Sequence, residues 1–139
     1  MVMAKTQVRV RYQETDQMGI VHHSVYAIWF EVGRSELIRE LGYSYQFFEE
    51  RGLLLPVVDY HCRFVSPARF DDQIIIQTTI KELRGAKMVF AYELFHETGA
   101  RIAHGETIHL WVDQTMKPVR FQEAHPTLYN KFQGRLKDI

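Results

Sequence analysis

At 139 residues, 46% of them apolar and 24% charged, the chain is long enough for one domain spanning 1–139 with a buried core, and its composition is not that of a disordered segment. Seventeen basic side chains against seventeen acidic ones leave no net charge, which argues against nucleic acid or an anionic membrane as the main partner. A lone cysteine, Cys62, excludes an internal disulfide and a cysteine-based zinc cluster; the first residues lack a signal peptide's apolar stretch and no run reaches membrane-span length, so a cytoplasmic protein is expected.

Residues 6–12 alternate, with Val8, Val10 and Tyr12 on one side and Gln7, Arg9 and Arg11 on the other, as in a half-buried strand. A polar turn over 13–19 follows. Ser24 is placed to N-cap a helix that runs to about Leu41 and stops at Gly42. Val25, Ile28, Trp29, Val32, Ile38 and Leu41 make its apolar stripe, and aromatics at 26, 29 and 30 widen it, so cover on more than one side is expected. Gly33 predicts a close approach to a neighbouring element rather than a break. A short helix over 45–51 ends at Gly52. Residues 57–65 alternate with Val58, Tyr60, Cys62 and Phe64 on one face, which makes Cys62 an inert core thiol. Strands are predicted over 73–83, 88–96 and 100–113, separated by turns at 84–87 and 97–99. A turn near 114–118 leads to a short edge strand, and 126–133 reads as a tail helix. One strand, one long helix, a short helix and a meander of three or four strands predict an α+β domain, an antiparallel sheet wrapped around one long central helix.

The chemistry concentrates in residues 14–31, ETDQMGIVHHSVYAIWFE. Asp16 opens an Asp-x-x-Gly turn closed by Gly19, a pattern that serves a structural turn by itself. Seven residues on, however, a helix begins, and unpaired N–H groups there can hold a negative oxygen. A carboxylate beside such donors is the minimum equipment for acyl transfer or hydrolysis. His22 and His23 are adjacent and so point in different directions, and no third ligand stands at a metal-binding spacing; no metal is expected. The remaining histidines read as structural or surface groups, and Asp71-Asp72 as closing a turn. Serine-elbow, phosphate-loop and dinucleotide fingerprints are missing from the sequence. Arg84 and Lys87 flank Gly85, either as an ordinary charged hairpin or as a clamp for phosphate groups.

Thr15, Asp16, Gly19, Ile20, Val21, the His22-His23 pair, Tyr26 and Trp29-Phe30-Glu31 resemble the signature of the 4-hydroxybenzoyl-CoA thioesterase family, acyl-CoA thioesterases of the hotdog fold. Residues 64–72, FVSPARFDD, resemble that family's second landmark. The resemblance implies hydrolysis of an acyl-CoA thioester without metal or cofactor. It implies Asp16 as catalytic carboxylate, the backbone N–H of His23 as oxyanion donor, and Gly19, Val21 and Tyr26 around the substrate. It also implies Arg84 and Lys87 near the CoA phosphates, although Gly85 and Ala86 depart from the basic pattern, and a homodimer or homotetramer with sites between subunits. Asp16 as nucleophile or as general base on water stays open. Two other readings are a hydratase or dehydratase using Glu31 or Glu36, and an acyl-CoA-binding module without turnover.

Overall fold

A computed structural model describes residues 3–136; Met1, Val2 and residues 137–139 of the expected domain lie outside the described residues. The elements are β1 (Met3–Arg9), a single 3-10 turn (Tyr12–Glu14), α1 (Val25–Glu40), α2 (Tyr45–Glu49), β2 (Val57–Phe64), β3 (Gln73–Arg84), β4 (Lys87–His96), β5 (Arg101–Leu110), α3 (Phe121–Ala124) and α4 (Pro126–Leu136). The five strands form one sheet in the order β1-β3-β4-β5-β2, with every neighbouring pair antiparallel. α1 packs against β1, β3 and β4, and its Val25, Tyr26, Trp29, Phe30, Leu37 and Ile38 are buried. The α+β arrangement of a sheet around one long helix is thus present.

Several local expectations need correction. β1 starts and ends three residues earlier than its alternation suggested, because the chain turns at Tyr12–Glu14 and carries Tyr12 out to 75% exposure. Ile28, assigned to the apolar stripe of α1, is 51% exposed. β3, β4 and β5 form a three-strand meander, within the expectation, while β2 crosses to the far edge and pairs with β5. As an edge strand it leaves Val58, Tyr60 and Phe64 exposed and Cys62 half-buried, so Cys62 is not a core residue. Partial burial still pushes its thiol up to about 11, which keeps it protonated. After β5 the described residues form no short edge strand, but isolated bridges from Val112 to Leu54 and Pro118. Ser24 occupies the N-cap position of α1, but its hydroxyl does not cap the helix. The His22 ring instead ties down the N-cap residue, its Nδ1 accepting from the Ser24 N–H at 3.2 Å.

The reading of Gly33 holds. A Cβ there would lie 2.8 Å from Ile76 Cγ2 and closer still to Thr78 Oγ1, so the missing side chain lets α1 lie directly on β3. Beneath the same helix runs a buried polar chain. Tyr92 Oη and Thr107 Oγ1 are 2.6 Å apart, Thr107 Oγ1 and His109 Nε2 are 2.8 Å apart, and His109 Nδ1 meets the Leu55 carbonyl at 3.2 Å. Burial lowers His109 to about 4, with the Leu55 contact opposing and the Arg34 cation reinforcing the drop, so the ring is neutral.

Two outcomes follow. Gly33→Ala is expected to destabilise the protein by about 1–3 kcal/mol in urea unfolding, because overpacking against β3 exceeds the helix-propensity gain of about 1 kcal/mol from alanine. For His109, whose folded value lies below the ordinary 6.5, the unfolded chain binds the extra proton. Its contribution to stability is therefore complete above about pH 7 and is lost as the pH falls from 6.5 toward 4. The urea midpoint of the wild type should drop across that window more steeply than that of His109→Gln.

Candidate active site

The segment between β1 and α1 is a small closed hairpin. Thr15 and Val21 form an antiparallel bridge, the Asp16 N–H donates to the Ile20 carbonyl at 2.8 Å, and the Gly19 N–H donates to the Asp16 carbonyl at 2.9 Å. Gly19 has φ +80°, a conformation that a side chain resists, so it permits the tight reversal. One Asp16 oxygen, Oδ1, accepts from the Met18 N–H at 2.9 Å. That bond is the structural role of the tetrad, and it orients the carboxylate as well.

Glu14, given no role by the sequence reading, is the anchor of this hairpin. Its carboxylate is buried, accepts from the Arg11 N–H at 2.7 Å and lies 3.5 Å from the Arg11 guanidinium. Its carbonyl takes the His22 N–H at 2.9 Å, and the Val21 N–H donates to Ala68 at 2.8 Å. The start of α1 is therefore tied at fixed distance from the Asp16 turn.

A cleft of about 420 Å³ opens between these parts. Asp16, Met18, Ile20 and Val21 supply one wall, and His23 with Tyr26 supply the helix side. The third wall is residues 64–67, just past β2, which the sequence had marked only as a landmark. Four of the sequence-predicted residues thus meet here: Asp16, Val21, His23 and Tyr26; Gly19 shapes the turn between them. A larger hollow of about 630 Å³ lies on the sheet face away from α1, around Lys5, Gln77 and His96, and shares no lining residue with this cleft.

At the start of α1 the backbone donors are unequally engaged. Ser24 N–H points to the His22 ring and Val25 N–H to the His22 carbonyl, while the His23 N–H donates to no protein acceptor among the described residues. Tyr26 is buried, edge-on to Trp29 at 5.2 Å and to Phe64 at 4.9 Å. Burial, reinforced by Cys62, pushes its phenol up to about 12, so it serves as a wall and not as a base.

The His22 and His23 rings lie 4.1 Å apart, tilted by 32°, and do not diverge as expected for adjacent residues; the tight turn into α1 brings them side by side. Among the described residues no group of three His, Cys, Asp or Glu side chains converges. Glu36 is held by Arg39 at 2.5 Å, and Glu31 is exposed on α1.

Arg84 and Lys87 are not brought to the cleft of their own chain. They pair across the β3–β4 hairpin, whereas Asp16 lies near the opposite end of β3, where Val10 and Val21 bond to Asp72 and Ala68. Twelve residues of β3 separate the two ends, roughly 35 Å of extended chain. Lys87 also pairs with Glu82 at 3.4 Å.

Comparison with known proteins agrees with the fold. The chain matches the thioesterase-like superfamily over residues 10–132. It is 36% identical to YneP of Bacillus subtilis over 138 residues, 99% of this chain and 100% of that one. It is 32% identical to the acyl-CoA thioester hydrolase YbgC of Escherichia coli over 112 residues, 80% of this chain and 84% of that one. A crystal structure of DHNA-CoA thioesterase from Staphylococcus aureus superposes with a TM-score of 0.92 at 29% identity, covering 99% of this chain and 93% of the other.

Gly19→Ala tests the coupling of turn and site. It should cost about 1 kcal/mol of stability through the positive φ and should lower kcat, by moving the Asp16 carboxylate, more than it raises KM in steady-state kinetics. Four of the seven sequence-predicted site residues share one cleft because the turn, the helix start and the end of β2 are held together, and with the hotdog architecture in place the chain belongs to the thioesterase-like superfamily.

Proposed function

We propose that this protein hydrolyses acyl-CoA thioesters to the free acid and CoA, as a single domain acting from the Asp16 cleft. The observation that carries this reading is the meeting, in one cleft, of an oriented carboxylate and the unengaged N–H of His23, in a chain of the thioesterase-like superfamily. Its relatives include an acyl-CoA thioester hydrolase and a DHNA-CoA thioesterase.

In this reading the thioester carbonyl oxygen points at the His23 N–H, and the substrate lies against Val21 and Tyr26. The Asp16 oxygen not held by Met18 then either attacks the carbonyl carbon or takes a proton from a water that attacks it. Negative charge grows on the carbonyl oxygen as the new bond forms, and the helix-start donor stabilises it; losing such a donor typically costs about 10²–10³ in rate. The tetrahedral carbon collapses by expelling CoA thiolate. Direct attack leaves an anhydride that water then opens, whereas the base route gives the acid at once. No metal or cofactor is required.

The same reading includes assembly as a homodimer or homotetramer in the cytoplasm. Among the described residues no helix is long and apolar enough to cross a membrane. The unpaired edge of β2 carries exposed Val57, Val58, Tyr60 and Phe64, with Val65 beyond it, a row of apolar groups and free backbone bonds suited to a second copy. Arg84 and Lys87 would then reach CoA phosphates bound at another subunit's cleft, since their own is too distant.

Asp16→Asn keeps an acceptor for the Met18 N–H and removes the charge. Release of CoA thiol should fall about 10²–10⁴-fold, with the fold and oligomer unchanged by circular dichroism and light scattering. Wild-type turnover in that folded variant would remove the carboxylate from the mechanism. Activity of the wild type should survive a strong chelator; metal-reversible loss would contradict the reading.

A further inference from the structure

A second hollow of about 330 Å³ lies along the same seam between α1 and β2. The Asp16 cleft takes its walls from His23 and Tyr26 of the helix start and from Phe64 at the end of β2. The second hollow continues with Ala27, Ile28, Glu31 and Arg34 of α1, Tyr60 of β2 and Thr107 of β5. His23, Ala27, Glu31 and Arg34 recur at helical spacing and share one face. Eleven residues from His23 to Arg34 correspond to roughly 16 Å of helix. The Arg34 side chain leans back toward the N-terminus and shortens that span.

The chemistry of the hollow is asymmetric. The Leu55 carbonyl can only accept, so His109 Nδ1 carries the proton of the neutral ring, and Nε2 accepts from Thr107. Thr107 Oγ1 has then spent its hydrogen and accepts from the Tyr92 hydroxyl. Every donor in that chain is thus spent on a partner within the protein. What remains to donate is Arg34, half-buried, whose cation lies beside the Tyr45 and Tyr92 phenols and opposes the rise that burial imposes on both. No carboxylate lies within 4.0 Å of it among the described residues. A guanidinium has five N–H donors and no acceptor, and the two phenol oxygens beside it engage some of them and leave others for a ligand in the hollow. Glu31 at the rim adds a negative charge that repels an incoming carboxylate.

We propose that this hollow receives the far end of the acyl group, and that Arg34 selects acyl groups ending in a neutral oxygen, a hydroxyl or a carbonyl, over plain hydrocarbon ends. The inference rests on the thioesterase reading of the Asp16 cleft and names the substrate class that reading left open. Arg34 donates to the oxygen, and a hydroxyl can in turn donate toward Glu31. Ile28 and Tyr60 supply apolar walls for the chain leading to it.

The test compares octanoyl-CoA, 8-hydroxyoctanoyl-CoA and suberyl-CoA as substrates of the wild type, Arg34→Met and Arg34→Lys. The wild type should favour the hydroxyacyl over the alkyl substrate by about tenfold or more in kcat/KM, with the carboxyacyl substrate below the hydroxyacyl one. Arg34→Met should bring the hydroxyl-to-alkyl ratio near one. If Arg34→Met does not fold, Arg34→Lys, which keeps the charge but loses the fork, should lower the same ratio. A wild-type ratio of one or less, a carboxyacyl preference, or an unchanged ratio in a folded variant would overturn the proposal. Calorimetric binding of the matching non-hydrolysable thioether analogues separates the two levels. No hydrolysis of any thioester with the hydroxyl preference retained in binding would sink the thioesterase reading alone; hydrolysis with no preference in either assay would sink the subsite alone.

Discussion

The distance between α1 and the sheet governs the rest of the molecule. Where Gly33 crosses Ile76 and Thr78 there is no room for even one carbon, so the helix rests on β3 backbone to side chain without a spacer. That contact sets the height of the whole helix above the sheet. It also sets where the helix begins relative to the loop after β1, which is tied to β3 through Val10 and Asp72. Glu14 and His22 then fix the remaining slack. A carboxylate and a helix-start donor can act together only if both are held, and here neither depends on a flexible segment.

The same closeness puts polar groups where water does not reach. Tyr92, Thr107 and His109 lie in the plane between helix and sheet, and each spends its hydrogen on the next until the Leu55 carbonyl ends the chain. Such a chain is stable only when every member is satisfied. The consequence for function is directional: the seam between α1 and β2 has acceptors already served and one strong donor, Arg34, still facing the hollow. The apolar neighbours of the seam, Ile28 on α1 and Val57 and Tyr60 on β2, are exposed in the single chain. A second copy laid on that edge would cover them and close the seam.

Much of this is legible locally. Alternation over β3, β4 and β5 survives because both faces have distinct environments, with Ile74, Ile76 and Ile80 buried and Lys81 exposed. Gly33 and Gly42 announce a close approach and a stop, and both do what glycine is needed for. The turn from Asp16 to Gly19 and the helix start seven residues later are local too, which is why Asp16 and His23 could be named from spacing and resemblance. What is not legible is whatever depends on pairing order. Val58, Tyr60, Cys62 and Phe64 alternate like an inner strand, yet β2 sits at the edge, because its partner is β5 and nothing in residues 57–65 specifies that. For the same reason the charges of Arg84 and Lys87 are legible in their turn but not their distance from Asp16; register puts them at the opposite end of β3. Glu14 and Arg34 also escaped notice, since each matters through partners far away in sequence or through an absence of charge partners in space.

The central claim is that the His23 N–H and the Asp16 carboxylate face one carbonyl. It is tested most directly by nuclear magnetic resonance of 15N-labelled protein with an acyl-CoA analogue in which a methylene replaces the thioester sulfur, so that the carbonyl remains and cannot be hydrolysed. The account predicts a downfield shift and slowed hydrogen exchange of the His23 amide, larger than at Ser24 or Val25, whose N–H groups are already engaged. A His23 amide that stays unmoved at saturating analogue, with the principal shifts elsewhere, would contradict it.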